Sequence, residues 1–161
     1  MNVKKITQFG MLIGVAFILS YIENMIPFYI GIYGVKLGLA NIVTVLVLYR
    51  FGGREALQIS ILRVLLVSFT FGNLYSLSYS LAGSLLSGIV MVTLMKTKKF
   101  STVGISIAGG VAHNIGQLIV AMIVLEMKEL LYYGGVLIIS GSITGFFIGI
   151  AAKTTLSKWK N

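Results

Sequence analysis

Six apolar stretches are the feature that most restricts how this chain can fold. They cover residues 6–26, 35–49, 56–71, 74–95, 102–125 and 130–152. About 20 apolar residues wound as a helix cross the hydrocarbon core of a bilayer, which is roughly 30 Å thick. Lipid offers no partner for backbone N–H and C=O groups, and this requirement together with the length of the runs favours helices over strands. The sequence therefore predicts an all-α membrane protein, with six transmembrane helices in one domain over residues 1–161.

The second and third stretches are shorter than the other four. At a rise of about 1.5 Å per residue, helices of these lengths would extend only about 24 Å. We therefore expect both helices to be packed inside the bundle or to be lengthened by their connections.

The distribution of basic residues predicts the orientation. The chain has a net charge of +9, although only 11% of its residues are charged and 57% are hydrophobic. Such a composition is typical of a membrane protein, in which basic residues collect in the cytoplasmic connections, and it argues against binding to nucleic acid. With a cytoplasmic amino terminus, Lys36 and Lys128 would lie outside and ten basic residues would lie inside: Lys4, Lys5, Arg50, Arg54, Lys96, Lys98, Lys99, Lys153, Lys158 and Lys160. We therefore predict a multi-pass protein of the bacterial cell membrane with both termini in the cytoplasm.

Polar side chains in the fifth stretch mark a candidate binding site. This stretch contains His113, the single histidine of the chain, together with Asn114 and Gln117. His113 and Gln117 are four positions apart and Asn114 and Gln117 are three apart, so they share one helix face. Polar groups at membrane depth need partners. Either they form structural hydrogen bonds between helices, or they bind the polar atoms of a ligand.

Arg63 lies about halfway along the third stretch, where a charge is costly. An arginine keeps its proton in proteins, so it must be paired, hydrated or matched by an anionic ligand. Glu23, at the outer end of the first stretch, is the plausible counter-ion in the chain. The alternative is that Arg63, together with Lys36, binds a phosphate or carboxylate. Asn41 and Tyr79, in the outer halves of their helices, are lesser candidates for the same site.

The connection 27–34, PFYIGIYG, is apolar and aromatic and contains the single proline of the chain. A solvated loop in this position would be polar. We interpret it either as a lid over an outward-facing pocket or as an aromatic anchor at the membrane interface.

Small residues recur at four-residue spacing in three of the stretches. In lipid such stripes allow two helix backbones to approach closely. For the fourth and sixth stretches we expect packing inside the bundle. For the first stretch, docking onto another membrane protein is a competing interpretation. The stripes are Gly10 and Gly14 in the first stretch, Ser80, Ser84 and Gly88 in the fourth, and Gly141, Gly145 and Gly149 in the sixth.

Several kinds of chemistry are excluded by missing residues. The chain has no aspartate, so it lacks the Asp-rich motifs that hold magnesium and diphosphate. It has no cysteine for a thiolate and no G-x-x-x-x-G-K-[ST] loop for ATP. No base and acid surround its serines in the sequence. We therefore predict no catalytic residue, no metal site and no cofactor, and hence no enzymatic activity.

Four short segments resemble the recurring blocks of the Gx transporter family, often labelled heptaprenyl diphosphate synthase component I: 36–42 (KLGLANI), 62–65 (LRVL), 79–83 (YSLAG) and 112–117 (AHNIGQ). The resemblance runs over nearly the whole chain. This family is similar to the substrate-binding S components of energy-coupling-factor (ECF) transporters. The resemblance implies six helices, both termini inside and a substrate pocket that opens outward under the first loop. It also implies a docking face of small residues on the first helix, where Gly10 and Gly14 stand in place of the more usual alanines.

The resemblance also implies partners: a membrane coupling protein and two cytoplasmic ATPases that supply the energy. On the preferred hypothesis, the chain binds a small anionic or amphipathic compound of vitamin or isoprenoid type for uptake across the bilayer. Lys36 and Arg63 would bind the charge of this substrate, and its other polar atoms would contact Asn41, His113, Asn114 and Gln117. The alternatives are a non-catalytic membrane subunit of a prenyl diphosphate synthase and a stand-alone carrier.

Overall fold

The computed structural model describes residues 3–25 and 38–159. Over these residues the regular structure is helical, which confirms the all-α prediction. Six α-helices and one 3₁₀ helix follow each other along the chain: α1 (Val3–Met25), α2 (Asn41–Arg50), α3 (Gly53–Phe71), α4 (Leu74–Thr97), α5 (Thr102–Leu125), the 3₁₀ helix (Lys128–Tyr133) and α6 (Gly134–Lys158). The connection 27–34, interpreted above as a lid, lies outside the described residues.

Within the described ranges, four helical segments are long and apolar enough to cross a membrane: α1, α4, α5 and the segment Lys128–Lys158. The chain is therefore an integral membrane protein. The third stretch is lengthened by its connection, one of the two expected outcomes, because residues 53–55 begin α3 and give it a length of 19 residues. At about 1.5 Å per residue, α3 extends about 29 Å. It differs from the four apolar segments by a charged residue, Arg63, near the middle of the helix.

α2 has ten residues, too few to cross a bilayer, and it packs inside the bundle as the sequence predicted. All six residues from Val43 to Leu48 are buried. Its neighbours are α1, α3 and α6. A helix that is apolar on every face is stable only in such surroundings.

α5 lies between α4 and α6, and glycines allow the three backbones to touch. A Cβ atom added at Gly145 of α6 would lie 2.7 Å from the Ile107 Cα of α5. One added at Gly116 of α5 would lie 2.8 Å from the Ala82 carbonyl oxygen of α4. Side chains do not fit at these distances, so the close approach requires glycine. The small residues of α6 therefore serve packing inside the bundle, as predicted.

Nine of the eleven basic residues in the described part of the chain, all except Arg63 and Lys128, collect at one end of the bundle, which we call the basic end. Here the Lys5 ammonium donates to Glu55 Oε1 over 2.8 Å, and the Arg50 guanidinium lies 5.7 Å from the Trp159 ring centroid. At the opposite end, where α1 stops and α2 starts, the Gly38 N–H donates to Glu23 Oε1. The described basic residues at the basic end are Lys4, Lys5, Arg50, Arg54, Lys96, Lys98, Lys99, Lys153 and Lys158.

Gly145→Ala tests the α5–α6 packing. We expect the added methyl group to lower the free energy of unfolding by about 1–3 kcal/mol, because it forces the two backbones apart. Thermal unfolding of the purified protein in detergent measures this loss. Gly135→Ala on the same helix is the control, since a Cβ there meets nothing within 4 Å. Equal effects of the two substitutions would contradict the close contact.

Candidate functional site

Arg63, Glu23 and His113 line one cavity, which we call the arginine cavity. Its volume is about 70 Å³, and α1, α3, α4 and α5 enclose it. Glu23, Arg63 and His113 thus lie on three different helices, α1, α3 and α5, and line the same cavity. The other lining residues are Ser20, Asn24, Val64, Val67, Ser68 and Ser80.

The Arg63 guanidinium is nearly enclosed. The residue is 9% exposed, and its Nε atom has no hydrogen-bond partner among the described residues. Glu23 is the acidic residue that interacts with it electrostatically, yet the two do not form a direct ion pair as Lys5 and Glu55 do. A buried cation with an incomplete set of partners needs water or an anion at the cavity wall.

The turn before α2 holds Glu23 in position. Gly38 has a φ of +68°, in the left-handed region that glycine adopts without strain. Its N–H donates to Glu23 Oε1, and its carbonyl oxygen accepts from the Asn41 N–H over 2.8 Å as α2 begins. One carboxylate oxygen of Glu23 therefore accepts a backbone hydrogen bond. This bond links the end of α1 to the start of α2.

A second cavity, which we call the amide cavity, lies beside the arginine cavity. Its volume is about 50 Å³, and Asn41, His113, Asn114 and Gln117 all line it. His113 borders both cavities. The remaining lining comes from α2, α4, α5 and α6 and from the turn before α2: Gly38, Val45, Ser87, Met91, Ser106, Gly109, Gly110, Thr144, Gly145 and Ile148.

Asn114 forms a hydrogen bond between helices and also lines the amide cavity. Its Nδ2 donates to the Leu137 carbonyl oxygen of α6 over 2.8 Å. This is the hydrogen bond between helices that was one of the two interpretations of the polar face. The amide therefore holds α5 against α6, while its neighbours His113 and Gln117 face the cavities.

Two groups of predicted residues line neither cavity, and one predicted residue is not described by the structure. Lys36 is outside the described residues. Tyr79 is partly exposed and lines neither of the two cavities. Gly10 and Gly14 lie on α1 toward the basic end, where an added Cβ would meet nothing within 4 Å.

Sequence reasoning missed the hydroxyl groups of both cavities. Ser20, Ser68 and Ser80 line the arginine cavity, and Ser87, Ser106 and Thr144 line the amide cavity. Helical spacing could have found two of them. Ser20 precedes Glu23 by three positions and Ser106 precedes His113 by seven, and both spacings keep residues on one helix face.

The two cavities together present groups that can bind a polar ligand. These are one permanent cation, one carboxylate and several other hydrogen-bonding groups. Within the described part of the chain, no three His, Asp or Glu side chains are grouped so that they could hold a metal ion.

A double-mutant cycle tests whether Glu23 stabilises Arg63. We expect Glu23→Gln to lower the free energy of unfolding, because Arg63 loses its carboxylate while the amide oxygen still accepts from Gly38. Adding Arg63→Gln should recover part of this loss, since no buried cation remains. The expected coupling is about 0.5–3 kcal/mol, measured by unfolding in detergent. Strictly additive effects would contradict the interaction.

A family model described as heptaprenyl diphosphate synthase component I matches residues 12–155, and this region contains every residue that lines the two cavities. No curated protein and no solved structure was found to match the chain. The match confirms the resemblance carried by the four sequence segments. The chain therefore belongs to the heptaprenyl diphosphate synthase component I family.

Proposed function

We propose that the protein is the substrate-binding membrane subunit of an ECF-type uptake transporter. Its substrate is a small anionic or amphipathic compound of vitamin or isoprenoid type. The observation that carries this proposal is the buried Arg63, whose Nε lacks a partner among the described residues and which lines a cavity. Removing a charge from water is costly unless another charge or a set of hydrogen bonds replaces the solvent. An anionic substrate group provides that replacement.

The size of the arginine cavity supports the binding of a head group. A buried water needs about 10–15 Å³, so a cavity of about 70 Å³ has room for roughly five waters. A single carboxylate or phosphate group displaces such waters and pairs with Arg63. The polar atoms near this group contact His113 and, in the amide cavity, Asn41, Asn114 and Gln117.

The charge distribution supports the orientation. In this proposal the basic end faces the cytoplasm, so that both termini are cytoplasmic. Glu23 and Ser68 lie in the last turns of α1 and α3, away from the basic end. The arginine cavity is therefore nearer to the outer surface, from which the substrate arrives. Lys36 supplies a second cation for the substrate.

The exposed face of α1 supports a membrane partner. Met11, Val15 and Ile18 are exposed, and Gly10 and Gly14 have open space at their Cβ positions. In this proposal a membrane coupling protein docks on this face, and two cytoplasmic ATPases supply the energy that the chain cannot obtain from ATP itself.

The family description favours a second candidate function. In this alternative, the protein is the non-catalytic membrane subunit of a prenyl diphosphate synthase. The absence of aspartate from the sequence argues against a catalytic role, because chain elongation needs magnesium-bound diphosphate. A soluble synthase would then dock on the basic end.

The ligand retained after mild purification, identified by mass spectrometry, tests the site. We expect it to raise the melting temperature of the wild type. Its affinity should be roughly ten- to hundredfold lower in Arg63→Ala, which loses a charge-assisted hydrogen bond of about 1.5–3 kcal/mol. His113→Ala should also weaken binding. The matched control is Arg54→Ala, an arginine of the same helix that lies outside both cavities. Wild-type affinity in both cavity variants that still fold would overturn the site.

Co-purification from native membranes distinguishes the two candidate functions. A transporter subunit should be recovered with a membrane coupling protein and two ATPases. Recovery of a prenyl diphosphate synthase instead would support the alternative. A self-sufficient carrier would transport the ligand into liposomes that contain this chain alone.

A further inference from the structure

A groove between α1 and α3 lies at the basic end, apart from both cavities. We call it the α1–α3 groove. Its volume is about 800 Å³, which is within the range of roughly 300–1,000 Å³ typical of small-molecule pockets. It is lined by Lys5, Ile6, Phe9, Gly10, Ile13, Arg54, Glu55, Gln58, Ile61 and Leu62.

Aromatic contacts hold α1 against its neighbours near both ends of the groove. The Phe9 ring lies 5.3 Å from the ring of Phe51, in the turn before α3, near the basic end. Farther along, the Phe17 and Tyr21 rings lie 5.6 and 5.1 Å from the Phe71 ring. Between these contacts α1 presents Gly10, where a side chain would meet nothing within 4 Å. The open space beside Gly10 belongs to the groove.

The polarity of the groove changes along the helix axes. Its charged residues lie at the basic end, in the first turns of α1 and α3, and its walls become apolar toward Ile13 and Leu62. Eight residues separate Lys5 from Ile13, which corresponds to about 12 Å along a helix. A phospholipid has the same order of polarity, from a charged head group at the membrane surface to an apolar chain.

The charge at the mouth favours an anionic head group. The Arg54 side chain is exposed and forms no hydrogen bond or ion pair with another described residue, although it interacts electrostatically with Glu55. Lys5 is paired with Glu55 over 2.8 Å. Two cations and one carboxylate leave a net positive charge, and a guanidinium matches the geometry of a phosphate.

We propose that the α1–α3 groove binds one anionic phospholipid of the surrounding bilayer. Its phosphate contacts Arg54, and one acyl chain lies along Gly10, Ile13 and Leu62. The Glu55 carboxylate weakens this binding by repelling the phosphate and by occupying Lys5. The proposal is independent of what the arginine cavity binds, and at Gly10 the lipid competes with the coupling protein proposed to dock on α1.

Native mass spectrometry of the full chain tests this site with phosphatidylglycerol and phosphatidylcholine of identical acyl chains. We expect the wild type to retain phosphatidylglycerol preferentially. Arg54→Gln should lower this preference about fivefold, since a basic residue near the membrane surface contributes about 1 kcal/mol to attraction of anionic lipid. Lys96→Gln is the matched control, because it removes the same charge from the basic end outside the groove.

Two further variants separate lipid binding from a structural role. Glu55→Gln should raise the phosphatidylglycerol preference severalfold, because it removes the repelling charge and frees Lys5. Gly10→Phe should lower retention of both lipids by filling the groove, and Gly135→Phe, at another open glycine, should not. Melting temperatures establish that each variant is folded.

Three outcomes would overturn the proposal. Equal losses in Arg54→Gln and Lys96→Gln would indicate general attraction to the basic end. A decrease in Glu55→Gln would indicate that the Lys5–Glu55 pair merely supports the helices. Loss of a co-purified membrane protein in Gly10→Phe, with lipid retention unchanged, would assign the groove to a protein partner.

Discussion

The lack of water inside a bilayer is the constraint on which the rest of this structure depends, because each polar group there must find its partners within the protein. Backbone groups find them in helices, and Asn114 finds one in the Leu137 carbonyl oxygen of α6. Arg63 has fewer hydrogen-bond partners than it needs. The residue is only 9% exposed, and its Nε has no partner among the described residues. Thr44 Oγ1 and Ser84 Oγ also lack a partner among the described residues, but Arg63 is the charged one of the three, and it lines the arginine cavity.

Close packing at glycines determines how α4, α5 and α6 are arranged. Close backbone contact fixes α5 between α4 and α6, and the polar face of α5 is thereby held toward the interior. His113 then borders the arginine cavity on one side and the amide cavity on the other. α2 completes the arrangement, because it is short enough to be enclosed and its six residues from Val43 to Leu48 are buried. A ligand that enters the arginine cavity would therefore meet a rigid wall on α5 and a less closely packed wall on α1.

The two ends of the bundle differ in polarity and charge. One of the two proposed binding regions lies near each end. Near the end opposite the basic residues, the arginine cavity is small and polar and contains charges of both signs. At the basic end, the α1–α3 groove is larger and mostly apolar, with charges at its mouth. α1 borders both of them. A shift of α1 relative to α3 would therefore change the arginine cavity and the α1–α3 groove together.

The sequence by itself determined the membrane class, the helical structure and the identity of the costly residues. The length of the apolar runs and the absence of water in lipid favour helices. Arg63, Glu23 and His113 stand out because placing a charged or polar side chain in an apolar stretch costs free energy. Segments 36–42 and 112–117 also identified the family, which the match over 12–155 confirms. The hydroxyl groups of Ser68, Ser80 and Thr144 were missed, because serine and threonine are common in membrane helices whether or not they line a cavity.

Only the tertiary structure decided which of these residues share a cavity. It also showed that Glu23 is bound to the Gly38 backbone and does not form a direct ion pair with Arg63. The groove between α1 and α3 is likewise visible only in the tertiary structure. Distances across helices depend on crossing geometry and on glycine contacts that form between segments far apart in the chain. Hydropathy, which describes each segment separately, carries no information about them.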